Sequence, residues 1–196
     1  VTGTDALETL NLISANQIDV EPGRGVYTQW LNKRAGIEAD LTVNRIEDNK
    51  FWVITSAASQ TRDWSWLMRA SNNKSVNVED ITDAFSVIGV MGPHARNTLQ
   101  PLVSTNLSNE KFPFGTIKKL EIAGTECLAL RMSYVGELGW EIYIPVADSI
   151  NVFDEIMKSG ENYGITLAGY HAMNSLRLES GYRHWGHDIT PVDTPL

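Results

Sequence analysis

The sequence predicts an α+β fold built from mixed, largely antiparallel sheets, and three observations predict it. Two pairs of apolar runs flank short turns in the manner of hairpins: residues 41–46 with 51–55 around Glu47-Asp48-Asn49-Lys50, and residues 116–122 with 127–132 around Ala123-Gly124-Thr125. Segments of helical period lie between the strands. Finally, Val1, Gly3, Ala6, Thr9 and Leu10 recur at one constant offset as Val90, Gly92, Ala95, Thr98 and Leu99. Each set falls where a strand turns into a helix, which reads either as two related halves or as a corner that any α/β sequence repeats.

Taken in order, Val1-Thr2-Gly3 reads as the end of a strand. A short helix follows, with Ala6, Leu10 and Ile13 on one face and Asp5 as its N-cap. After the first hairpin, residues 60–70 space Trp64, Leu67 and Met68 at helical intervals, the aromatics of this segment are assigned to the core, and Ser71-Asn72-Asn73-Lys74 stops the helix. Residues 85–90 form a strand, and Pro93 suits the first turn of the next helix. Beyond the second hairpin, Gly136 and Gly139 make a tight turn into a strand over residues 140–145. A helix capped by Asp148 or Ser149 then carries a stripe of Ile150, Phe153, Ile156 and Met157 up to Gly160. The last helix, residues 169–180, turns Ala172, Met173 and Leu176 inward, leaves Arg177 on a flank facing a cleft, and stops near Gly181.

Composition narrows the function. The chain has 196 residues, 24 acidic against 16 basic, and a formal net charge of -8, so nonspecific attraction to nucleic acid is disfavoured. No apolar run reaches the roughly 18 residues of a membrane helix. The single Cys127 excludes an internal disulfide and suits a reducing or organellar-matrix compartment. No glycine-rich nucleotide fingerprint, phosphate loop, paired-cysteine zinc pattern or Gly-x-Ser-x-Gly corner is present. Both ends of the sequence read as cut from something longer, Val1-Thr2-Gly3 as a strand end and Thr194-Pro195-Leu196 as a stretch without a stop.

Several residues carry candidate chemistry. Asp40 stands where a loop enters a strand, and either lines a cleft to steer an amine or take its proton, or caps a turn. In the strand after the two glycines, Glu141 and Tyr143 share one face and Trp140 and Ile142 the other. That face either meets a planar, nitrogen-rich ring or simply faces solvent. Arg177, between two leucines, either clamps a carboxylate or pairs with Glu141 or Glu179. His184, His187 and Asp188 have the spacing of partial metal ligands, but the segment lacks helical His-x-x-x-His register, which leaves hydrogen bonding or exposure as the reading and no metal assigned.

Four ordered motifs carry a family resemblance: Gly25-Val26-Tyr27, Gly36-Ile37-Glu38-Ala39-Asp40-Leu41-Thr42-Val43, Tyr134-Val135-Gly136-Glu137-Leu138-Gly139-Trp140-Glu141, and the run from Ser175-Leu176-Arg177 to Tyr182-Arg183. They resemble the folate-binding part of the glycine-cleavage aminomethyltransferase (T-protein) family. The wording from Gly181 to Ile189, with Thr194-Pro195-Leu196, is most similar to the version fused behind a flavin domain in sarcosine and dimethylglycine dehydrogenases.

The resemblance implies the aminomethyltransferase folate-binding fold, with two pseudo-repeated ferredoxin-like halves at residues 1–83 and 84–196, the first lacking its first strand and the second ending before a C-terminal barrel. It implies tetrahydrofolate as cofactor, with Asp40 the catalytic carboxylate near the N5 to N10 edge, Glu141 bonded to the pterin, Tyr27 and Tyr134 lining the pocket, and Arg177 near the folate tail. Where the family usually has an acid before this aspartate, Ala39 stands here. The implied function is capture of a one-carbon unit as 5,10-methylenetetrahydrofolate beside an upstream flavin domain. FAD would belong only to that domain, and hydride transfer is not expected of these residues alone. The alternatives are a fragment of a free-standing aminomethyltransferase, partnered by a lipoyl carrier protein, and a noncatalytic interaction domain. The implied compartment is the cytoplasm in a bacterium and the mitochondrial matrix in a eukaryote.

Overall fold

The computed structural model describes residues 1–195, so Leu196 of the terminal Thr-Pro-Leu motif lies outside the described residues. The chain divides into two compact units, Val1–Asp80 with Arg183–Leu196, and Ile81–Tyr182.

In the first unit, α1 (Ala6–Ile13) is followed by three antiparallel strands in the order β1-β2-β3, namely β1 (Arg24–Leu31), β2 (Ile37–Glu47) and β3 (Lys50–Ile54), and by α2 (Gln60–Ala70). Alternation along β2 buries Ile37 and sends Ala39, Leu41 and Val43 into a core with Ala6, Leu10, Trp30, Phe51 and Leu67. Asp5 occupies the N-cap of α1, but its carboxylate does not cap the helix and instead accepts the backbone N–H of Ser75. In α2, Leu67 is buried and Met68 exposed; of the aromatics expected in the core, Trp66 packs against it and Trp64 is half-buried outside it.

In the second unit, β4 (Phe85–Met91) leads into α3 (Ala95–Leu99), then β5 (Ile117–Ile122), β6 (Thr125–Leu130), β7 (Gly139–Pro145), α4 (Ser149–Gly160) and α5 (Tyr170–Glu179). The sheet is antiparallel throughout in the order β4-β7-β6-β5. Its inner face supplies Leu120, Ile122, Cys127, Ala129, Trp140 and Ile142 to a core closed by Leu99, Val152 and Ile156. Burial pushes the Cys127 thiol up to about 11, so it stays a packed thiol rather than a nucleophile.

The echo between the two corners is physical. Thr2 bridges Lys50, the first residue of β3, and Met91 pairs Gly139, the first residue of β7, at the same sequence offset. The Gly3 amide donates to Asn49 O and the Gly92 amide to Leu138 O; the Ala6 and Ala95 amides then donate to Gly3 O and Gly92 O, both at 3.1 Å. Gly3 and Gly92 have φ of 130° and 134°, a conformation that favours glycine.

Two helix faces differ from expectation. Along α4 the inward residues are Val152, Ile156 and Gly160, while Ile150 is 76% exposed. A Cβ on Gly160 would lie 2.6 Å from Ile165 Cβ, so the helix approaches its neighbour through a residue without a side chain. Along α5, Ala172 and Leu176 are exposed and Arg177 is the buried residue, 4% exposed.

Candidate functional site

In the first unit, the pleat that buries Leu41 and Val43 places Asp40, Thr42 and Asn44 on the opposite face of β2. The β1–β2 register sets Gln29 opposite Asp40 and Tyr27 opposite Thr42. Gln29 Nε2 donates to Asp40 Oδ1 at 2.9 Å, and the Tyr27 side chain also hydrogen-bonds Asp40. Burial raises the Asp40 carboxyl above its ordinary 3.8; these two hydrogen bonds and the charge of His184 oppose the shift without cancelling it. Two pleats along, Asn44 is fully buried, and among the described residues neither its Oδ1 nor its Nδ2 has a hydrogen-bond partner.

The segment after residue 183 returns to the start of this strand. Trp185 Nε1 donates to Ile37 O at 2.9 Å, and the Arg62 guanidinium lies 4.0 Å from the centroid of the Trp185 ring. The Asp188 carboxylate accepts the His184 N–H, and the amides of His187 and Asp188 donate to His184 O. Asp188 thus closes a local turn, which is the hydrogen-bonded role. Among the described residues no group of three or more His, Cys, Asp or Glu side chains is placed to hold a metal ion.

In the second unit, Tyr143 donates its hydroxyl to Glu141 Oε2 at 2.7 Å, across the i, i+2 spacing that keeps both on one face of β7. Burial raises the Glu141 carboxyl, and the Tyr143 hydrogen bond lowers it in part. The Tyr143 phenol is pushed up by its own burial, then by the Glu141 charge and hydrogen bond. Trp140 and Ile142 point the other way, into the core.

The loop before β7 is held by its glycine. Gly136 has φ of 76°, and a Cβ there would stand 1.9 Å from Ser180 Oγ, so backbone and side chain both demand glycine. Ser180 Oγ donates to Val135 O at 3.2 Å, which pins the loop to the end of α5. The same approach stacks Tyr134 on Tyr182, with ring centroids 6.3 Å apart and planes 20° from parallel. Arg177 donates from Nε and Nη2 to Asn174 Oδ1 at 2.9 and 2.6 Å, and from Nη1 to Tyr182 O at 2.9 Å. It is a buried cation that holds the chain at Tyr182, rather than a flank residue facing a cleft.

The residues singled out in the sequence therefore fall in both units: Tyr27 and Asp40 are brought together in the first, and Tyr134 and Arg177 are linked through Tyr182 in the second. Sequence reasoning missed Gln29, Asn44 and Asn174. Asn174 sits three residues before Arg177 on one helix, a spacing that flags a side-chain pair. Asn44 lies at an even spacing from Asp40 on a strand, which flags a shared face. Gln29 carries no signal of its own, because its place depends on the β1–β2 register.

Comparison with known proteins agrees with this architecture. The family profile described as the GCVT N-terminal domain matches residues 1–196. A 4-methylaminobutanoate oxidase (formaldehyde-forming) of Paenarthrobacter nicotinovorans is 43% identical over 100% of this chain, which covers 24% of that protein. The mitochondrial sarcosine dehydrogenase of Homo sapiens is 36% identical over 100% of this chain, covering 23% of that protein. The crystal structure of the glycine cleavage system aminomethyltransferase T from Bartonella henselae superimposes with a TM-score of 0.82 at 25% identity, over 99% of this chain and 51% of that one. The chain thus spans about a quarter of the length of these two dehydrogenase and oxidase relatives, and it shares the α+β fold of the aminomethyltransferase.

Proposed function

The chain belongs to the family of the GCVT N-terminal domain, and from that premise we propose that it is the tetrahydrofolate-binding module of a sarcosine or dimethylglycine dehydrogenase-like protein, capturing a one-carbon unit as 5,10-methylenetetrahydrofolate. The observation that carries this reading is Glu141. Its carboxylate is largely buried, and the hydrogen bond recorded to it comes from Tyr143. A carboxylate has about four acceptor positions, which leaves room for a donor-rich ring.

The residues present fit a folate. Within the second unit, the amino and ring N–H groups of a pterin are donors matched to Glu141, and the Tyr134–Tyr182 pair offers an aromatic surface. Tetrahydrofolate supplies two nitrogen nucleophiles, N5 and N10, to the one-carbon unit. Asp40, whose pKa burial raises, holds a proton more readily than an exposed aspartate and suits a group that accepts and returns one during capture. Gln29 and Tyr27 fix the orientation of its carboxylate. Arg177 acts as a positioning residue, because its guanidinium holds the Tyr182 backbone. Oxidation of the methylated amine is assigned to a flavin domain of the parent.

Titration of the 196-residue chain with tetrahydrofolate under anaerobic conditions, followed by tryptophan fluorescence, tests the reading. Saturable binding weakened on the order of tenfold or more by Glu141→Gln is expected, because the uncharged amide is the poorer acceptor for pterin donors. Absence of saturable binding by the folded chain sinks it.

A further inference from the structure

Within the second unit lies an open cleft of about 470 Å³, lined among others by Arg96, Arg131, Phe114, Met132, Glu137 and Tyr182. Neither Glu141 nor Arg177 lines it. Its floor is cationic in a chain whose formal net charge is -8. Arg96 Nη2 and Arg131 Nη2 both donate to Asn109 Oδ1 at 2.7 Å, so the two Nη2 atoms are no more than about twice that distance apart. Arg96 Nε donates to Leu107 O at 2.8 Å and Arg131 Nη1 to Phe112 O at 2.6 Å. These bonds fix both guanidiniums in place. Both also lie over the buried Trp140 ring, at 5.8 and 5.7 Å from its centroid.

Two like charges held this close are costly unless something neutralises them. Among the described residues neither guanidinium forms an ion pair. The carboxylates nearby are exposed: Glu137 on the cleft wall, and Glu110 on the loop. Glu110 is held below its ordinary pKa first by its own backbone and by Ser108, and only last by the two arginines. The Arg131 guanidinium is itself lowered by burial and by Arg96, with the Glu110 charge opposing the shift without cancelling it. After the bonds to Asn109, Leu107 and Phe112, each guanidinium keeps N–H groups to give, and paired guanidinium forks match a carboxylate. The rest of the wall favours an apolar body over an inorganic ion. Phe114 is 65% exposed, and Met132 and Tyr182 add flat, polarisable surface.

We propose that this cleft is a binding site for a small organic carboxylate with a planar or apolar body, its carboxylate held between Arg96 and Arg131 and its body against Phe114, Met132 and Tyr182. The cleft uses neither Glu141 nor Arg177 and shares with the folate reading the Tyr182 ring alone.

The test is titration of the full 196-residue chain with sodium benzoate at constant ionic strength, read by the ¹⁵N–¹H resonances of the Arg96 and Arg131 Nε–H groups and the Gly136 and Gly139 amides. Saturable shifts at these positions are expected. Phe114→Glu, at an exposed position, adds a carboxylate to the wall and is expected to weaken binding about tenfold, while Glu137→Gln removes one and strengthens it about threefold. Shifts that sodium chloride reproduces, equal or tighter saturation by inorganic phosphate, or affinities unmoved by both substitutions would each overturn the proposal.

Discussion

Substitution of Gly136 by alanine probes the contact that joins the loop before β7 to the end of α5. A non-glycine residue at φ of 76° costs about 1–2 kcal/mol. The new methyl would stand 1.9 Å from Ser180 Oγ and 2.7 Å from Ser180 Cβ. The hydroxyl can rotate away, at the cost of its bond to Val135 O, but Cβ cannot, and overpacking of this kind costs about 1–3 kcal/mol. Gly136→Ala is therefore expected to destabilise the second unit by about 2–5 kcal/mol. In a Ser180→Gly background the clash is gone and only the backbone cost of about 1–2 kcal/mol remains. Because the chain has two units, the readout is native-state hydrogen exchange of the β7 amides, which reports the second unit directly. An equal cost of Gly136→Ala in both backgrounds would refute the packing argument.

Three further outcomes follow from the same structure. Asp40 has its pKa raised by burial, so its contribution to stability is fully present below its ordinary 3.8 and is lost as pH rises through the folded value. Urea unfolding of the first unit across that range should show this decline in the natural chain and a flatter profile in Asp40→Asn; parallel profiles would contradict it. Tyr143→Phe removes the hydrogen bond that lowers the Glu141 pKa, so the Glu141 carboxyl should titrate at still higher pH by ¹³C NMR, and a downward shift would contradict the assignment. Arg177→Ala leaves Asn174 Oδ1 and the Tyr182 carbonyl without these donors and should cost about 3 kcal/mol in the exchange stability of the second unit, whereas a cost near zero would show that the guanidinium is not structural.

Much of this was legible in the sequence because the signals were local. The two hairpins follow from apolar alternation around polar turns, and the β5–β6 turn falls at Ala123-Gly124, where both residues have positive φ. The recurrence of Gly3 as Gly92 was legible because that corner needs a residue free of Cβ strain and then a helix to follow. The faces of α4 and α5 were not. A search for large apolar residues at helical spacing passes over Gly160, whose value lies in having no side chain beside Ile165. The same search places Leu176 inside and Arg177 outside, whereas Arg177 is buried because Asn174 and the Tyr182 carbonyl satisfy it. In the first unit, β1 carries no strong alternation, so the pairing of Gln29 with Asp40 is a product of register that the sequence does not advertise.

Whether Glu141 receives the pterin of tetrahydrofolate is read from the ¹³C resonance of its side-chain carboxyl in selectively labelled chain, followed through a pH titration with and without tetrahydrofolate. Donors from a bound pterin favour the charged form, so a saturable shift of that resonance and a lower Glu141 pKa are expected in the complex. A carboxyl resonance and a pKa that stay the same at saturating tetrahydrofolate would contradict it.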